Sequence, residues 1–293
     1  MAFKGVFEAP MHVPSAFGLL TVVKPDTAPK ENQWIRGFSQ QWDTGYYSAK
    51  NWDDTDTTSY TLATNATPTR YDEIKPFFIE VEDYRSTLGL LGVDPIERIK
   101  GQLEGITQKA LEEELWDGAI RIGESHANKA LVHPDAEIIN SGNALSPRRA
   151  LAMLEQHIAE ASPCGEQGVI HMTRDITALL ASDGHILMHK ADRQKEHLQT
   201  LGGTPIIVGS GYSGAGPTDA AGSSEDPSHT NKWMYGTGTV KVVLGDIDVV
   251  TDTLAQGYDV SGNQNDMRLK AIRPAAVYFD TTIHVAVRVD LTA

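Results

Sequence analysis

The chain is poor in cysteine: Cys164 is the only one in 293 residues. No intrachain disulfide and no cysteine-rich zinc site can form, which suits folding in a reducing cytoplasm. Long apolar runs are also missing. No stretch of about 18 apolar residues exists, so no transmembrane helix is expected. The N-terminus, MAFKGVFEAPMHVPSAFGLL, is broken by Gly5, Pro10 and Pro14 and lacks the continuous apolar centre of a secretory signal. Positive charge is in deficit. With 25 Lys and Arg against 39 Asp and Glu, the formal net charge is −14, which argues against gripping nucleic acid, a task that needs clustered Lys and Arg.

Catalytic signatures are scarce too. There is no Walker A motif, no H-E-x-x-H and no G-x-S-x-G. Gly209, Gly211 and Gly214 fit G-x-G-x-x-G after the strand-like PIIV. A dinucleotide loop must open a helix there, and AGPTDAAGSSEDPSHT offers none. The segment reads instead as the start of a mobile surface loop over 209–231. His185 and His189 are four apart in HILMH, which reads as a strand and would hold them roughly 13 Å apart, too far for one ion. His171, on a short strand, reads as packed or hydrogen-bonded. Asp53, Asp54 and Asp56 resemble the start of a calcium loop, but its glycine and closing glutamate are missing. Glu112 to Glu114 read as helix-surface charge. No catalytic residue, metal site or cofactor is expected.

What the sequence does have is one long helix, DPIERIKGQLEGITQKALEEELW, over 94–116. Asp94 is a good N-cap, Pro95 suits the first helical position, and Glu97 stands where a capping-box acid would. Ile96, Ile99, Leu103, Ile106 and Ala110 recur at steps of three and four and draw one apolar stripe. At 1.5 Å per residue it would run roughly 34 Å. Gly101 and Gly105 fall opposite the stripe, each costing about 1 kcal/mol relative to alanine. They point to a bend or to a close backbone.

Around the helix, residues 1–30 read as a proline-broken extended arm that cannot bury a core alone; it is disordered or lies on something else. Its apolar piece Phe17 to Val23 could pair only as a lone strand. Residues 31–72 place Trp34, Trp42, Tyr46, Tyr47, Trp52, Tyr60 and Tyr71 among Ser, Thr, Asn and Asp. This predicts a long β-hairpin whose aromatics are buried by a neighbour, because a lone hairpin is marginal in water. A strand follows over 74–84. Beyond the helix come a strand near Ala130 to Val132, a helix from Pro147 with Ala150, Leu151, Leu154 and Ile158 on one face, and a strand over 168–172. Thr173 then caps the helix RDITALLAS, which stops at Gly184. Two strands, HILMH and TPIIVGS, precede the glycine-rich loop. The last part is mostly β, with a polar hairpin tip over 255–266. The fold class is α+β.

This organisation resembles the HK97-type major capsid proteins of tailed bacteriophages. The segments FFIEVEDYRSTLG, GVIHMTRDITALL, GGTPIIVGSGYSG, WMYGTGTVKV and IRPAAVYFDTTIHVAVRVDL resemble capsid subunits of phages infecting actinobacteria. The resemblance covers the chain from about residue 70 onward. It implies an N-arm (1–30), an E-loop (31–72), a P-domain (73–118, with the spine helix, and the hairpin 245–278) and an A-domain (119–244 and 279–293). The tip at 255–266 becomes the P-loop.

The implied function is a structural, non-enzymatic one. Copies of the chain would form pentamers and hexamers of an icosahedral head around double-stranded DNA, assembled in the bacterial cytoplasm and located in the virion. A portal protein and either a separate scaffold protein or none are the implied partners, decoration proteins are left open, and no membrane is involved. Intersubunit contacts would fall to Trp34, Trp42, Tyr46, Tyr47 and Trp52 in the hairpin and to Tyr258, Asn263 and Asn265 in the tip. Some members of the family join subunits by a Lys–Asn isopeptide bond assisted by a glutamate. Lys50 with Asn263 or Asn265 would be the partners here, but no glutamate follows Glu225, so no crosslink is expected. The alternatives are an encapsulin-type nanocompartment shell, in which a helix replaces the arm, and a nucleotide-binding enzyme built on the Gly209–Gly214 loop.

Overall fold

A computed structural model of the protein describes residues 16–26, 38–43, 69–86, 94–118, 129–162, 168–189, 197–217, 230–253 and 266–292. Two main sheets, a separate two-stranded one and one long helix organise them. The helix, α2 (Pro95–Asp117), starts where its cap chemistry dictates. The Asp94 carboxylate accepts the Ile96 N–H at 2.9 Å, Pro95 occupies the first turn, and Glu97 pairs with Lys100 at 3.2 Å. It ends at Gly118, whose φ of 63° is the left-handed conformation that closes a helix; its N–H returns to the Glu114 carbonyl.

The buried face of α2 is broader than the simple stripe. Ile99 and Leu103 are buried, but Ile96 is 38% exposed, and towards the C-terminus Thr107, Gln108, Leu111, Glu112, Glu114, Leu115 and Trp116 all go inside. The reading of Glu112 to Glu114 as surface charge holds for Glu113 and is corrected for Glu112 and Glu114. Glu112 is 0% exposed and Glu114 4%, because protein covers the last turns of α2 on more than one side. Gly101 and Gly105 lie half-buried within one unbroken helix.

The smaller sheet is built on β12 (Asp266–Phe279). Strand β3 (Phe77–Ser86) pairs with it antiparallel from Asp266 to Ala275. Along the other edge run β11 (Asp248–Thr253) and then β10 (Val240–Leu244), also antiparallel. The 119–244 stretch thus contributes to both sheets, since β10 pairs with β12. Phe77 and Ile79 point into the core against α2, while the alternate residues Phe78, Glu80 and Glu82 point out. On that outer face Glu80 pairs with Lys270 and Glu82 with Arg268, each at 2.7 Å. Strand β2 (Thr69–Ile74) is separate from β3. The pair Lys75–Pro76 breaks what the sequence suggested was one strand, and β2 turns to pair antiparallel with β1 (Phe38–Asp43). These are the bases of the expected hairpin; its remainder, 44–68, lies outside the described residues.

The larger sheet has seven strands in the order β4-β13-β9-β5-β8-β7-β6. They are β4 (Glu137–Ile138), β5 (Val169–Met172), β6 (Ile186–His189), β7 (His197–Thr200), β8 (Pro205–Val208), β9 (Asn231–Thr237) and β13 (His284–Asp290). Strand β7 went unrecognised in the sequence. Its HLQT carries little apolar pattern, and it exists because β6 and β8 pair on either side. The central strands are buried on both faces, so they read as apolar runs. Alternate side chains divide strictly. Ile170, Met172, Ile206, Val208, Met234, Val285 and Val287 face α3 (Pro147–Ala161) and α4 (Arg174–Ser182), whereas Val169, Ile207, Trp233, Tyr235 and Ala286 face α2.

The predicted face of α3 is buried throughout. Thr173 does stand at the N-cap of α4, but its hydroxyl bonds the Asp175 carboxylate instead of a helix N–H. Residues 130–132 do not form a strand. Leu131 and Val132 donate their N–H groups to the Leu115 and Trp116 carbonyls, satisfying the open end of α2.

The first described segment corrects the reading of the arm as a lone strand. Leu19–Val22 forms one helical turn, α1, and packs on the rest of the chain with Leu19 fully buried.

Candidate functional site

Of the residues singled out in the sequence, Trp34, Tyr46, Tyr47, Trp52, Tyr258, Asn263 and Asn265 lie outside the described residues. So does Lys50. Trp42 sits in β1, with its backbone opposite Arg70 of β2. Gly101 and Gly105 are in α2. The best-defined polar constellation among the described residues lies at the C-terminal half of α2.

There the Glu112 carboxylate is surrounded by donors. Oε1 accepts the Leu19 N–H at 3.0 Å. Oε2 accepts the N–H of Ser210 at 2.6 Å, the N–H of Gly211 at 3.0 Å and the Ser210 hydroxyl at 3.0 Å. Successive backbone N–H groups in a glycine-rich turn form an anion-binding concavity, and here the chain fills it with its own carboxylate. This corrects two readings. Segment 209–217 is not a free surface loop, since Gly209, Gly211, Tyr212, Gly214, Ala215 and Gly216 are all buried. Nor is it a dinucleotide loop: no helix begins there, and the two N–H groups already have an anion.

The close approach explains the glycines. A Cβ on Gly211 would lie 2.6 Å from the Lys109 carbonyl oxygen and 2.9 Å from the Glu113 nitrogen, both fixed helix backbone. A Cβ on Gly216 would meet the Trp233 indole at 2.4 Å.

An aromatic cluster continues from the carboxylate. Trp116 lies 4.6 Å from Tyr212 and 5.0 Å, edge-on, from Tyr235. The Trp116 N–H and the Tyr235 hydroxyl both donate to the Ala215 carbonyl, at 3.3 and 3.0 Å. Ser213 donates to Asp117 at 2.9 Å; burial, the larger influence, still holds the Asp117 carboxyl above its usual range.

Next to Tyr212 stands His171 of β5, fully buried, with both ring nitrogens engaged: Nδ1 to the Tyr212 hydroxyl and Nε2 to the Thr237 hydroxyl, each at 2.9 Å. Thr237 donates its own proton to the Gly238 carbonyl at 3.0 Å, so it accepts from His171. That assigns the proton to Nε2 and makes Tyr212 the donor to Nδ1. Burial, with the positive charge His284 would carry as a lesser influence, pushes His171 down to about 3. Burial also lifts Tyr212 well above the usual phenol range, with help from Glu112. His284 donates Nε2–H to the Leu131 carbonyl at 2.9 Å and is pushed down to about 4, mainly by burial.

This constellation holds segments together. His171 is sealed and doubly bonded, and Glu112 has four donors. Among the described residues, no group of three or more His, Cys, Asp or Glu is placed to hold a metal ion, and no helix is long and apolar enough to cross a membrane. Glu112 and Tyr212 were missed in the sequence. The signal available was the run Gly-Ser-Gly-Tyr directly after an apolar strand, which needs an anion for its N–H groups.

Among the described residues, the most exposed large apolar side chains lie on the two main sheets. Phe78 (58%) and Val250 lie on the outer face of the smaller sheet, and Leu187, Met188 and Leu201 (67%) lie at the β6–β7 end of the larger one.

No protein-family model matches the sequence, and no curated protein does. Solved structures do. The chain is similar to the capsid of an empty GTA particle computed with C5 symmetry, at 11% identity and a TM-score of 0.59, over 99% of this chain and 95% of that one. It is similar to a structure from Microbacterium phage Oxtober96, at 12% identity and a TM-score of 0.57, over 99% and 95%. The capsid of Ralstonia phage GP4 matches at 12% identity and a TM-score of 0.54, over 99% and 94%. The chain shares the fold of these structures, a mixed α+β architecture.

Proposed function

We propose that this chain is the major capsid protein of a tailed bacteriophage, which self-assembles as pentamers and hexamers into the icosahedral head around double-stranded DNA. The observation that carries this reading is the reciprocal match of fold: 99% of this chain aligns with 94–95% of the capsid chains of the GTA particle and phage GP4. The interior of the subunit supports the same reading. Its buried polar groups are spent on holding segments together, which suits a structural and non-enzymatic role.

On this reading α2 is the spine helix, and 31–72 and 255–266 are the E-loop and P-loop, with the P-domain and A-domain boundaries given above. Trp34, Trp42, Tyr46, Tyr47, Trp52, Tyr258, Asn263 and Asn265 meet neighbouring subunits. Phe78, Val250, Leu187, Met188 and Leu201 are further contact candidates, since apolar area buried between copies contributes roughly 25 cal/mol per Å² and closed symmetry repeats each contact many times. The acidic balance suits a container that confines DNA without adsorbing it. A portal protein, and a separate scaffold protein where one is used, are the partners of such a head, and the virion is its location.

Electron microscopy of the purified protein tests the proposal. Regular hollow shells, or DNA-filled ones from infected cells, are expected. A monodisperse monomer under all assembly conditions would overturn it, and shells filled with an enzyme would point to a nanocompartment instead.

A further inference from the structure

Residues Phe17–Asp26 cross the molecule from one sheet to the other. At one end the Phe17 carbonyl accepts the Val208 N–H of β8, in the larger sheet, at 2.9 Å. In the middle Leu19 donates to Glu112 of α2 at 3.0 Å. At the other end Asp26 donates to the Val242 carbonyl of β10, in the smaller sheet, at 2.8 Å. The side chains divide the same way. Phe17 packs on the core under α3 and α4, while Leu19, Leu20, Val22 and Val23 pack on the core shared by α2 and both sheets. A Cβ on Gly18 would lie 1.9 Å from Gln108 Nε2 and 2.5 Å from Glu112 Oε1, so a side chain there would have to push both ends aside. Phe17 itself holds a φ of 64°, a conformation costly for a non-glycine residue that surrounding contacts must maintain.

We propose that Phe17–Asp26 is a latch that ties the two sheets and α2 into one unit, with the Glu112 carboxylate as its catch. The division of labour at Glu112 gives the latch its character. One oxygen serves only the strap, through Leu19; the other serves only the 209–217 segment, through three donors. The single bond to the strap can therefore break while the three bonds to the segment stay in place. Release of the strap removes a tie that β8, α2 and β10 have in common, because the same ten residues contact all three, while the bonds of Ser210 and Gly211 to Glu112 remain. The inference stands on the described contacts alone and does not depend on the proposed capsid role.

Hydrogen exchange of backbone amides in the full-length protein, wild type against Glu112→Gln, tests it. The amide side chain keeps one acceptor oxygen, which the three donors of Ser210 and Gly211 retain, and turns an NH₂ towards Leu19. The amides of Leu19, Val208 and Asp26 are expected to exchange about tenfold to a hundredfold faster, together, although Val208 and Asp26 do not touch Glu112. The core amide of Ile170 serves as reference and should change far less. Acceleration of Leu19 alone, or of Ile170 as much as the rest, overturns the latch. Asp26→Pro supplies the reciprocal test at an exposed position, by removing the N–H that reaches Val242. It should accelerate Leu19 and Val208, and unchanged exchange at both overturns the proposal even where Glu112→Gln fails to fold.

Discussion

Glu112 Oε2 lies 2.6 Å from the backbone nitrogen of Ser210, 98 residues further along the chain. A fully buried carboxylate is stable only where donors replace its water, and this one has three N–H groups and a hydroxyl. Glu112→Ala would leave those donors buried without an acceptor and is expected to cost on the order of 3–5 kcal/mol of folding stability. Glu113, the next residue, is half-exposed and pairs with Lys109 at 3.5 Å. Glu113→Ala should cost less than about 1 kcal/mol. Thermal or urea unfolding of the two variants side by side checks the contrast; equal losses would contradict the assigned role of Glu112.

Gly211→Ala is expected to destabilise by about 2 kcal/mol or more, because the added Cβ meets fixed helix backbone on two sides. Gly184 is the comparison. Its φ of 73° favours glycine, but a Cβ there meets nothing within 4 Å, so Gly184→Ala should cost only about 1 kcal/mol. Melting temperatures of the two variants give the order directly.

His171 predicts an acid-dependent loss of stability. Folded, it stays neutral down to about pH 3; unfolded, it takes a proton near 6.5. The unfolded chain therefore binds more protons below pH 6.5. The stability held by the neutral ring is complete above that value and falls as pH drops towards 3. His284, pushed down to about 4, adds a loss of the same sign between 6.5 and 4. His171→Gln keeps hydrogen-bonding capacity without titrating. Its stability relative to wild type should improve by a few kcal/mol between pH 7 and pH 4. A pH-independent difference between the two proteins would refute the buried neutral histidine.

Trp42→Ala with Trp52→Ala tests the aromatic hairpin as an intersubunit clasp. Shell yield and the heat resistance of assembled particles are expected to fall, since truncating a buried aromatic anchor commonly costs 2 kcal/mol or more at an interface. Shells of normal yield and heat resistance would remove the hairpin from the contact.

The parts of this fold that were readable in the sequence are those set by local chemistry. Asp94 and Pro95 start α2 as their types require, Ala150, Leu151, Leu154 and Ile158 are the buried face of α3, and HILMH and TPIIVGS contain strands β6 and β8. What escaped was set by partners far away in the chain. Glu112 sits in a run of three glutamates that looks like solvated helix surface, and only the arrival of residues 19, 210 and 211 makes it a core residue. The short apolar run 130–132 looks like a strand, yet its N–H groups go to the end of a helix. His171 was legible as a packed, hydrogen-bonded residue, though its partners Tyr212 and Thr237 were not.

Strand β12 has a mechanical consequence. It leaves the smaller sheet at Phe279, turns within Asp280–Ile283 and enters the larger sheet as β13 at His284. That corner is tightly sewn: Asp280 accepts from the Thr282 N–H and hydroxyl, its own N–H goes to the Thr239 carbonyl, and the Gly238 N–H reaches the carbonyls of Asp280 and Ile283. Residues 266–290 therefore form one continuous ribbon anchored by lateral hydrogen bonds along nearly its whole length. Between the two sheets the ribbon has no slack loop, so a displacement of the Phe279 end of β12 passes directly to β13, while load along β12 itself is shared with β3, β10 and β11.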